Sequence, residues 1–176
     1  MARPTIQAPI AYKILIVGTS SAGKSSLAIH FTYDQYVTGY EPTITDSYRK
    51  RVVIDNKEAY IEIVVIGSDD YTAKRDNYFR SADGFLCVFS IIDRQSFLAV
   101  NEFRDHILRI KNNNINTSDN VSIVLVGTNA HLDNKRCVSI DEANSLANNW
   151  KVPYIETSAK SRDSCDRYFS NILIIS

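Results

Sequence analysis

Short apolar runs alternate along the chain with longer stretches in which apolar residues recur every three or four positions. The short runs are typical of buried β-strands, and the longer stretches are typical of helices with one apolar face. This alternation predicts an α/β fold, with an open, mostly parallel six-stranded sheet and helices on both faces. The predicted strands cover residues 12–17, 49–54, 60–66, 85–91, 121–126 and 152–157. The predicted helices cover residues 24–33, 97–110, 143–150 and 165–173, with the second helix of the chain predicted around Lys74, Arg75 and Arg80.

The links between these elements refine the predicted topology. The Asp-Asn-Lys segment at 55–57 is rich in turn-forming residues and predicts an antiparallel hairpin between the second and third strands. Ser139 and Glu142 have the spacing of a capping box, which predicts that a helix begins there. Residues 112–120 are rich in asparagine and predict a flexible surface loop between a helix and a strand.

Composition and charge are those of an ordinary globular domain. The chain has 176 residues, of which 44% are hydrophobic and 23% are charged. Its basic and acidic side chains cancel, so no overall positive field favours binding to nucleic acid, and we expect none. Residues 1–11 carry Pro4 and Pro9 without periodicity, so we expect a flexible lead-in followed by one domain over 12–176.

Cysteine usage and targeting signals predict a cytoplasmic protein. Cys87, Cys137 and Cys165 are widely spaced and form neither a disulfide framework nor a metal-binding pattern. The longest apolar run is far shorter than the roughly 20 residues that cross a bilayer. No prenylation box closes the sequence, so we expect no intrinsic membrane anchor. Peripheral membrane association is expected only if the natural chain extends beyond Ser176.

One segment carries a phosphate-binding pattern. Residues 18–25, Gly-Thr-Ser-Ser-Ala-Gly-Lys-Ser, match GxxxxGK[ST] between a predicted strand and a predicted helix. Backbone N–H groups and the helix N-terminus can then face a phosphate chain, with Lys24 on the terminal phosphates and the Ser25 hydroxyl on Mg²⁺. The alternative is a glycine turn that binds nothing. The residues predicted to contact phosphate are Ser20, Ser21, Ala22, Gly23, Lys24, Ser25 and Ser26.

The order of five segments resembles that of Ras-like small GTPases, with the closest match in the Ral branch. These segments are the phosphate loop and residues 40–50, 75–81, 84–91 and 156–160. The resemblance implies a P-loop G-domain that binds GTP or GDP with Mg²⁺. By resemblance, Ser25 and Thr43 would ligate Mg²⁺, and the amides of Thr43 and Gly67 would reach the γ-phosphate.

The same resemblance implies which residues surround the base. Where the family has Asn-Lys-x-Asp after Val-Gly, this chain has Thr-Asn-Ala-His at 128–131. A carboxylate accepts two N–H bonds from guanine, whereas a histidine accepts at most one, so guanine specificity should fall. Packing is an alternative role for Tyr36, and a helix N-cap is one for Ser158. The predicted base-side residues are Tyr36, Asn129, His131, Ser158, Ala159 and Lys160.

The hydrolytic segment departs from the family pattern. The chain has Val64, Ile66 and Ser68 in a Val-Val-Ile-Gly-Ser segment, where the family has Asp-Thr-Ala-Gly-Gln. Val64 cannot hold Mg²⁺ through a water, and Ser68 is too short to place the attacking water. Ser20 and Ser21 replace glycines that leave room for an activator's arginine finger. We therefore expect no catalytic residue, weakened Mg²⁺ and nucleotide binding, and GTP hydrolysis that is impaired or absent.

The effector-like segment at 40–50 stays close to the family pattern. The sequence therefore favours a pseudoGTPase, a monomeric Ras/Ral-like module that binds effector proteins in signalling or trafficking. Either it retains a nucleotide that fixes the binding segment, or its pocket is empty and the fold alone is the binding surface. The alternative function is a GTP-binding switch with slow hydrolysis. The predicted partner-binding residues are Tyr40, Ile44, Asp46 and Tyr48.

Overall fold

A computed structural model describes five segments of the chain, residues 10–33, 45–54, 57–67, 73–112 and 121–158. The predicted last helix at 165–173 and most of the predicted loop at 112–120 lie outside these ranges. Within them, every helix is too short or too polar to cross a membrane.

A six-stranded sheet runs through the described chain. Its strands are β1 (Ile10–Val17), β2 (Thr45–Ile54), β3 (Lys57–Ile66), β4 (Gly84–Ser90), β5 (Ser122–Thr128) and β6 (Tyr154–Glu156). They lie in the order β2-β3-β1-β4-β5-β6, and β2 alone among these strands runs antiparallel to its neighbour. The predicted sheet, mostly parallel with one antiparallel hairpin strand, is confirmed.

The described helices follow the strands in the predicted alternation. They are α1 (Lys24–Tyr33), α2 (Ala73–Ser81), α3 (Arg94–Asn112) and α4 (Ile140–Trp150), with short 3₁₀ turns at Ser20–Ala22 and Ala130–Lys135. The backbone N–H of Glu142 donates to Ser139 Oγ at 3.1 Å, and the Ser139 N–H donates to the Glu142 carboxylate at 3.1 Å. This reciprocal pair confirms the predicted capping box at the start of α4.

Each face of the sheet buries its own apolar cluster, because successive side chains of a strand point to opposite faces. On one face, Ile14 of β1 belongs to a cluster with Leu27 of α1. On the other face, the next residue, Leu15, belongs to a cluster with Phe97 of α3 and Ala143 of α4. Helices therefore cover both faces of the sheet, as predicted.

The first and last strands have different bounds from those predicted. β1 begins at Ile10, two residues inside the predicted lead-in, because Ile10 pairs with Ala59 of β3. β6 is shorter than the predicted strand at 152–157. The Val152 N–H donates to Ala147 at the end of α4 at 3.0 Å, and Pro153 has no N–H to offer a strand.

The hairpin strands extend further than predicted on both sides of their link. β2 begins at Thr45, which pairs with Ile66, and β3 begins at Lys57, which pairs with Ile54. The added residues are mostly polar, so apolar periodicity does not reveal them. Backbone pairing between adjacent strands, and not burial of apolar side chains, sets these boundaries.

Candidate functional site

The segment that connects β1 to α1 lies against β4. Gly18 has a φ of +151° and Gly23 a φ of +81°, a region that favours glycine. A Cβ at Gly18 would lie 2.2 Å from the carbonyl oxygen of Val88, so a larger residue would push the loop away from β4. The glycines of the motif therefore let the chain turn tightly and begin α1 at Lys24.

The loop opens onto a cavity of about 390 Å³ at the N-terminus of α1. The first N–H groups of a helix lack partners within the helix and carry partial positive charge, so such a cavity favours an anion. The lining residues that the structure describes all belong to the set that the sequence predicts to contact phosphate. They are Ser20, Ser21, Gly23, Ser25 and Ser26.

Lys24 is a buried cation at this site, with 5% of its surface exposed. Its Nζ donates to the backbone carbonyl of Thr19 at 2.6 Å. Burial lowers the pKa of Lys24 from 10.5 to about 8, because desolvation disfavours the charged form. A carbonyl offsets this desolvation only in part, whereas a phosphate anion would stabilise the ammonium group directly.

Two hydrogen bonds fix the 3₁₀ turn of the loop to its surroundings. The Ser21 hydroxyl donates to Asp93 Oδ2 at 2.6 Å, just before α3. The Thr128 hydroxyl donates to the backbone carbonyl of Ala22 at 2.7 Å and lies 3.2 Å from the carbonyl of Phe89. The phosphate loop is thereby joined to the carboxyl ends of β4 and β5, where the predicted base-side segment begins.

The predicted base-side residues come from two loops that meet at the end of the sheet. His131 Nδ1 lies 2.8 Å from Ser158 Oγ, and the Ala130 N–H donates to the carbonyl of Thr157 at 3.1 Å. Asn129 has a φ of 63°, and its side-chain amide donates to Ser90 Oγ at 2.8 Å. His131 and Ser158 thus form one polar pair, and Asn129 is turned toward β4.

A half-buried ion-pair network supports this end of the sheet. Arg136 donates two hydrogen bonds to Glu156, at 2.7 and 2.8 Å, and a third to Asp133 at 2.6 Å. Tyr154 OH donates to the same Glu156 carboxylate at 2.7 Å. The pKa of Arg136 is raised, mainly by Glu156, and that of Tyr154 is raised, mainly by burial. The network fixes β6 against the Ala130–Lys135 turn.

The sequence model of the Ras family matches this chain over residues 13–174. The chain belongs to the Ras family. Three curated relatives of this Ras-family chain are Ral proteins. Ras-related protein Ral-a of Drosophila melanogaster is 46% identical over 174 residues, which covers 98% of this chain and 84% of that protein. Ras-related protein O-RAL of Diplobatis ommata is 48% identical over 163 residues, covering 92% and 77%. Ras-related protein Ral-B of Mus musculus is 46% identical over 165 residues, covering 93% and 78%.

Membership of the Ras family implies a guanine nucleotide with Mg²⁺, and Ser25 is the predicted metal ligand that the structure describes. Val64 is buried at 1% exposure in the cluster shared with α2 and α3, and Ile66 lies in the same cluster. Ser25 lines the cavity and offers one hydroxyl. Among the described residues, no group of three His, Cys, Asp or Glu side chains could hold a metal ion. Mg²⁺ prefers oxygen ligands, which the Ser25 hydroxyl could supply, and the second predicted ligand, Thr43, lies outside the described residues.

Several predicted site residues of this Ras-family chain lie outside the described ranges. They are Tyr36, Tyr40, Thr43, Ile44, Ser68, Ala159 and Lys160. Gly67 is the last described residue after β3, and Asp46 is described only by its backbone position in β2. Tyr48 of β2 is half-buried and contacts Tyr33 edge-on, with ring centroids 6.4 Å apart. Part of its ring therefore packs against α1 and is not available to a partner.

Sequence reasoning missed Asp93, which contacts the phosphate loop. Asp93 Oδ1 accepts from the N–H groups of Gln95 and Ser96 at 3.0 and 3.2 Å, so Asp93 caps the start of α3. An acidic residue directly before a helical stripe is a recognisable N-cap signal. Its contact with Ser21 depends on the tertiary fold, and that contact has no signal in the sequence.

Proposed function

We propose that this Ras-family protein is a signalling or trafficking module that binds effector proteins and holds a nucleotide phosphate chain with little or no GTP hydrolysis. The observation that carries the proposal is the contrast within one site. The phosphate loop is formed around a desolvated Lys24, while Val64 is an apolar core residue at the family's metal-side position.

Retention of a phosphate ligand is supported by the charge and shape of the loop. Lys24 is buried and has only a carbonyl of Thr19 as its described acceptor. The cavity beside it lies at the N-terminus of α1, which favours anions. A nucleotide di- or triphosphate would supply a negative charge that none of the described residues places beside this cation.

Loss of hydrolysis is supported by three positions. Val64 packs in the core and cannot hold a metal-bound water, and Ser68 is shorter than the family's glutamine. Ser21 is bonded to Asp93 where the family has a glycine, so an incoming arginine meets a side chain and a fixed carboxylate. An arginine finger contributes about 10³ to 10⁵ in rate, so this obstruction alone would remove most of an activator's effect.

Reduced discrimination between bases is part of the same proposal. His131 Nδ1 lies 2.8 Å from Ser158 Oγ, so at most one ring nitrogen of His131 could accept a hydrogen bond from a base. A guanine edge presents two N–H donors to a family carboxylate, and one nitrogen leaves at least one of them without that acceptor. An unpaired donor in a dry pocket costs about 1–3 kcal/mol, which lowers guanine specificity.

The proposed partner surface is the segment at 40–50, with Tyr40, Ile44, Asp46 and Tyr48 as contact residues. Its described part forms the edge strand β2, which has a neighbour on one side only within the described sheet. We infer that residues 10–176, which begin with β1, form one G-domain that acts as a cytoplasmic monomer. A functional switch with slow hydrolysis is the second candidate, because the phosphate loop and α1 are fully formed.

Two measurements test the proposed function. Purified protein is heat-denatured, and the released small molecules are identified by chromatography, with a Lys24→Met variant as the blank. We expect GTP or GDP from the wild type and none from the variant. An empty wild type that also fails to bind added nucleotide would contradict nucleotide retention and favour the form in which the fold alone binds partners.

The second measurement is single-turnover phosphate release from GTP with Mg²⁺. We expect no detectable release, and Ser68→Gln alone should restore little, because Val64 and the Ser21–Asp93 contact remain. Phosphate release at the rate of an ordinary small GTPase would refute the loss of hydrolysis and favour the switch.

A further inference from the structure

The Ser21 side chain makes a hydrogen bond to a residue outside the phosphate loop. It lies in the middle of the 3₁₀ turn, is exposed, and donates its single hydroxyl proton to Asp93 Oδ2 at 2.6 Å. Asp93 lies far from the loop in sequence, just before α3. The loop is therefore bonded through a side chain to a different element of the fold.

The acceptor is held in place from its own side. Asp93 Oδ1 accepts from two backbone N–H groups at the start of α3, those of Gln95 and Ser96. The Ser96 hydroxyl also donates to the Asp93 carbonyl at 2.7 Å. These contacts fix the carboxylate at the start of α3. The hydrogen bond from Ser21, and then those from the Ser96 and Gln95 N–H groups, lower the pKa of Asp93, so it stays charged near neutral pH. Ser21 is thus bonded to an immobile charged acceptor, which makes a strong hydrogen bond.

The neighbouring residue of the turn is held from another direction. Thr128 donates to the carbonyl of Ala22, a bond that is buried. Ser21 is bonded to Asp93 before α3 and Ala22 to Thr128 at the end of β5, so the 3₁₀ turn that contains both residues has little conformational freedom. Ser20, the adjacent serine, lines the same cavity and offers a matched position for comparison.

We propose that Asp93 is a positioning residue for the phosphate loop, which it holds in its anion-receiving form through the hydrogen bond from Ser21. A loop that is ordered in advance loses less conformational entropy when a polyphosphate binds, so its ordering should strengthen binding. That a polyphosphate is the ligand rests on the proposed function. The ordering of the loop itself does not depend on any ligand.

The first arm of the test measures loop order in nucleotide-free protein by hydrogen exchange of the amides at 18–26. In Ser21→Ala we expect about tenfold faster exchange, as expected for loss of a hydrogen bond to a charged group. Ser21→Thr keeps the hydroxyl and should restore slow exchange, and Ser20→Ala should match the wild type. Equal exchange in Ser21→Ala and Ser20→Ala would overturn the proposal.

The second arm measures the affinity for GDP and for inorganic pyrophosphate by calorimetry. We expect Ser21→Ala to weaken both by roughly threefold to tenfold, with recovery in Ser21→Thr. Asp93→Ala should have no further effect in the Ser21→Ala background, because the two residues act through one bond. If Asp93→Ala instead strengthens binding in both backgrounds, Asp93 acts as a repelling charge and the proposal fails.

The two arms separate this proposal from the proposed function. If wild-type protein binds neither GDP nor pyrophosphate, the proposed nucleotide retention fails, and the exchange arm still decides whether Asp93 orders the loop. Because Asp93→Ala also removes the cap of α3, the Ser21 variants decide the exchange result if that protein does not fold.

Discussion

Replacement of Lys24 by methionine should stabilise the nucleotide-free protein while it abolishes polyphosphate binding. Lys24 is buried, and its pKa falls from 10.5 to about 8 because burial disfavours the charge. Methionine keeps most of the apolar stem and carries no charge. The variant therefore removes the desolvation penalty and leaves the packing around α1 largely as it was.

The expected gain follows from that pKa. A change of one in pKa corresponds to 1.36 kcal/mol, so a fall from 10.5 to about 8 sets a ceiling of about 3 kcal/mol on the penalty at pH 7. Loss of the hydrogen bond to the Thr19 carbonyl offsets about 1 kcal/mol of this gain. We expect the free energy of unfolding to rise by about 1–2 kcal/mol.

The stability difference between the wild type and Lys24→Met should depend on pH. Below pH 8 Lys24 is charged in both the folded and the unfolded states, and the full penalty applies. Between pH 8 and 10.5 the folded state releases its proton first, so the stability of the wild type rises relative to the variant. The difference between the two proteins should therefore be largest at pH 7 and shrink through this window.

Urea denaturation of nucleotide-free protein at pH 7 and at pH 10 measures both effects, and calorimetry with GDP measures binding. Lys135→Met, at an exposed lysine, is the matched control and should change neither the free energy of unfolding nor the affinity for GDP. A Lys24→Met protein that is less stable than the wild type at pH 7 would refute the reasoning, because Lys24 would then stabilise the empty loop.

Three further predictions concern the rest of the molecule. His131→Asp should raise the affinity for GTP more than for ATP, measured by competition, and equal shifts would show that another group reads the base. The hydrogen bond from Arg94 is the largest cause that lowers the pKa of Glu142 from 4.5 to about 2. The stability that this ion pair contributes is therefore fully present above pH 4.5 and is lost as the pH falls through 2. Acid unfolding of Arg94→Ala, measured by circular dichroism, should therefore begin at a higher pH than that of the wild type. Partner affinity of the segment at 40–50 should differ by less than about tenfold among GTP-loaded, GDP-loaded and nucleotide-free protein, and a larger preference for GTP would restore the ordinary switch.

The sequence predicts the centre of this fold well because local and tertiary signals agree there. Gly23 before a helical stripe predicts the start of α1 at Lys24, and the spacing of Ser139 and Glu142 predicts the start of α4. β2 is less predictable, because Thr45 and its neighbours join the sheet through backbone pairing and carry no apolar pattern. Propensity and periodicity report burial, and an edge strand is only partly buried.

The candidate site divides in a similar way. The phosphate-loop residues are contiguous, so their grouping around one cavity follows from the motif itself. The His131–Ser158 pair and the Ser21–Asp93 bond join residues that are distant in sequence. These contacts arise from the parallel pairing of β5 with β6 and of β1 with β4, and no local pattern encodes which side chains then meet.

The strand order also has a consequence for how the protein folds. β2 and β3 pair residue by residue from Ile54 and Lys57 outward, which is the most local pairing in the sheet. β1 must instead insert between β3 and β4, and both of these strands are distant from β1 in sequence. Because closure of long loops is slow, the hairpin can form first and β1 arrives late, with the phosphate loop behind it. A ligand at that loop should then slow unfolding and leave the refolding rate almost unchanged.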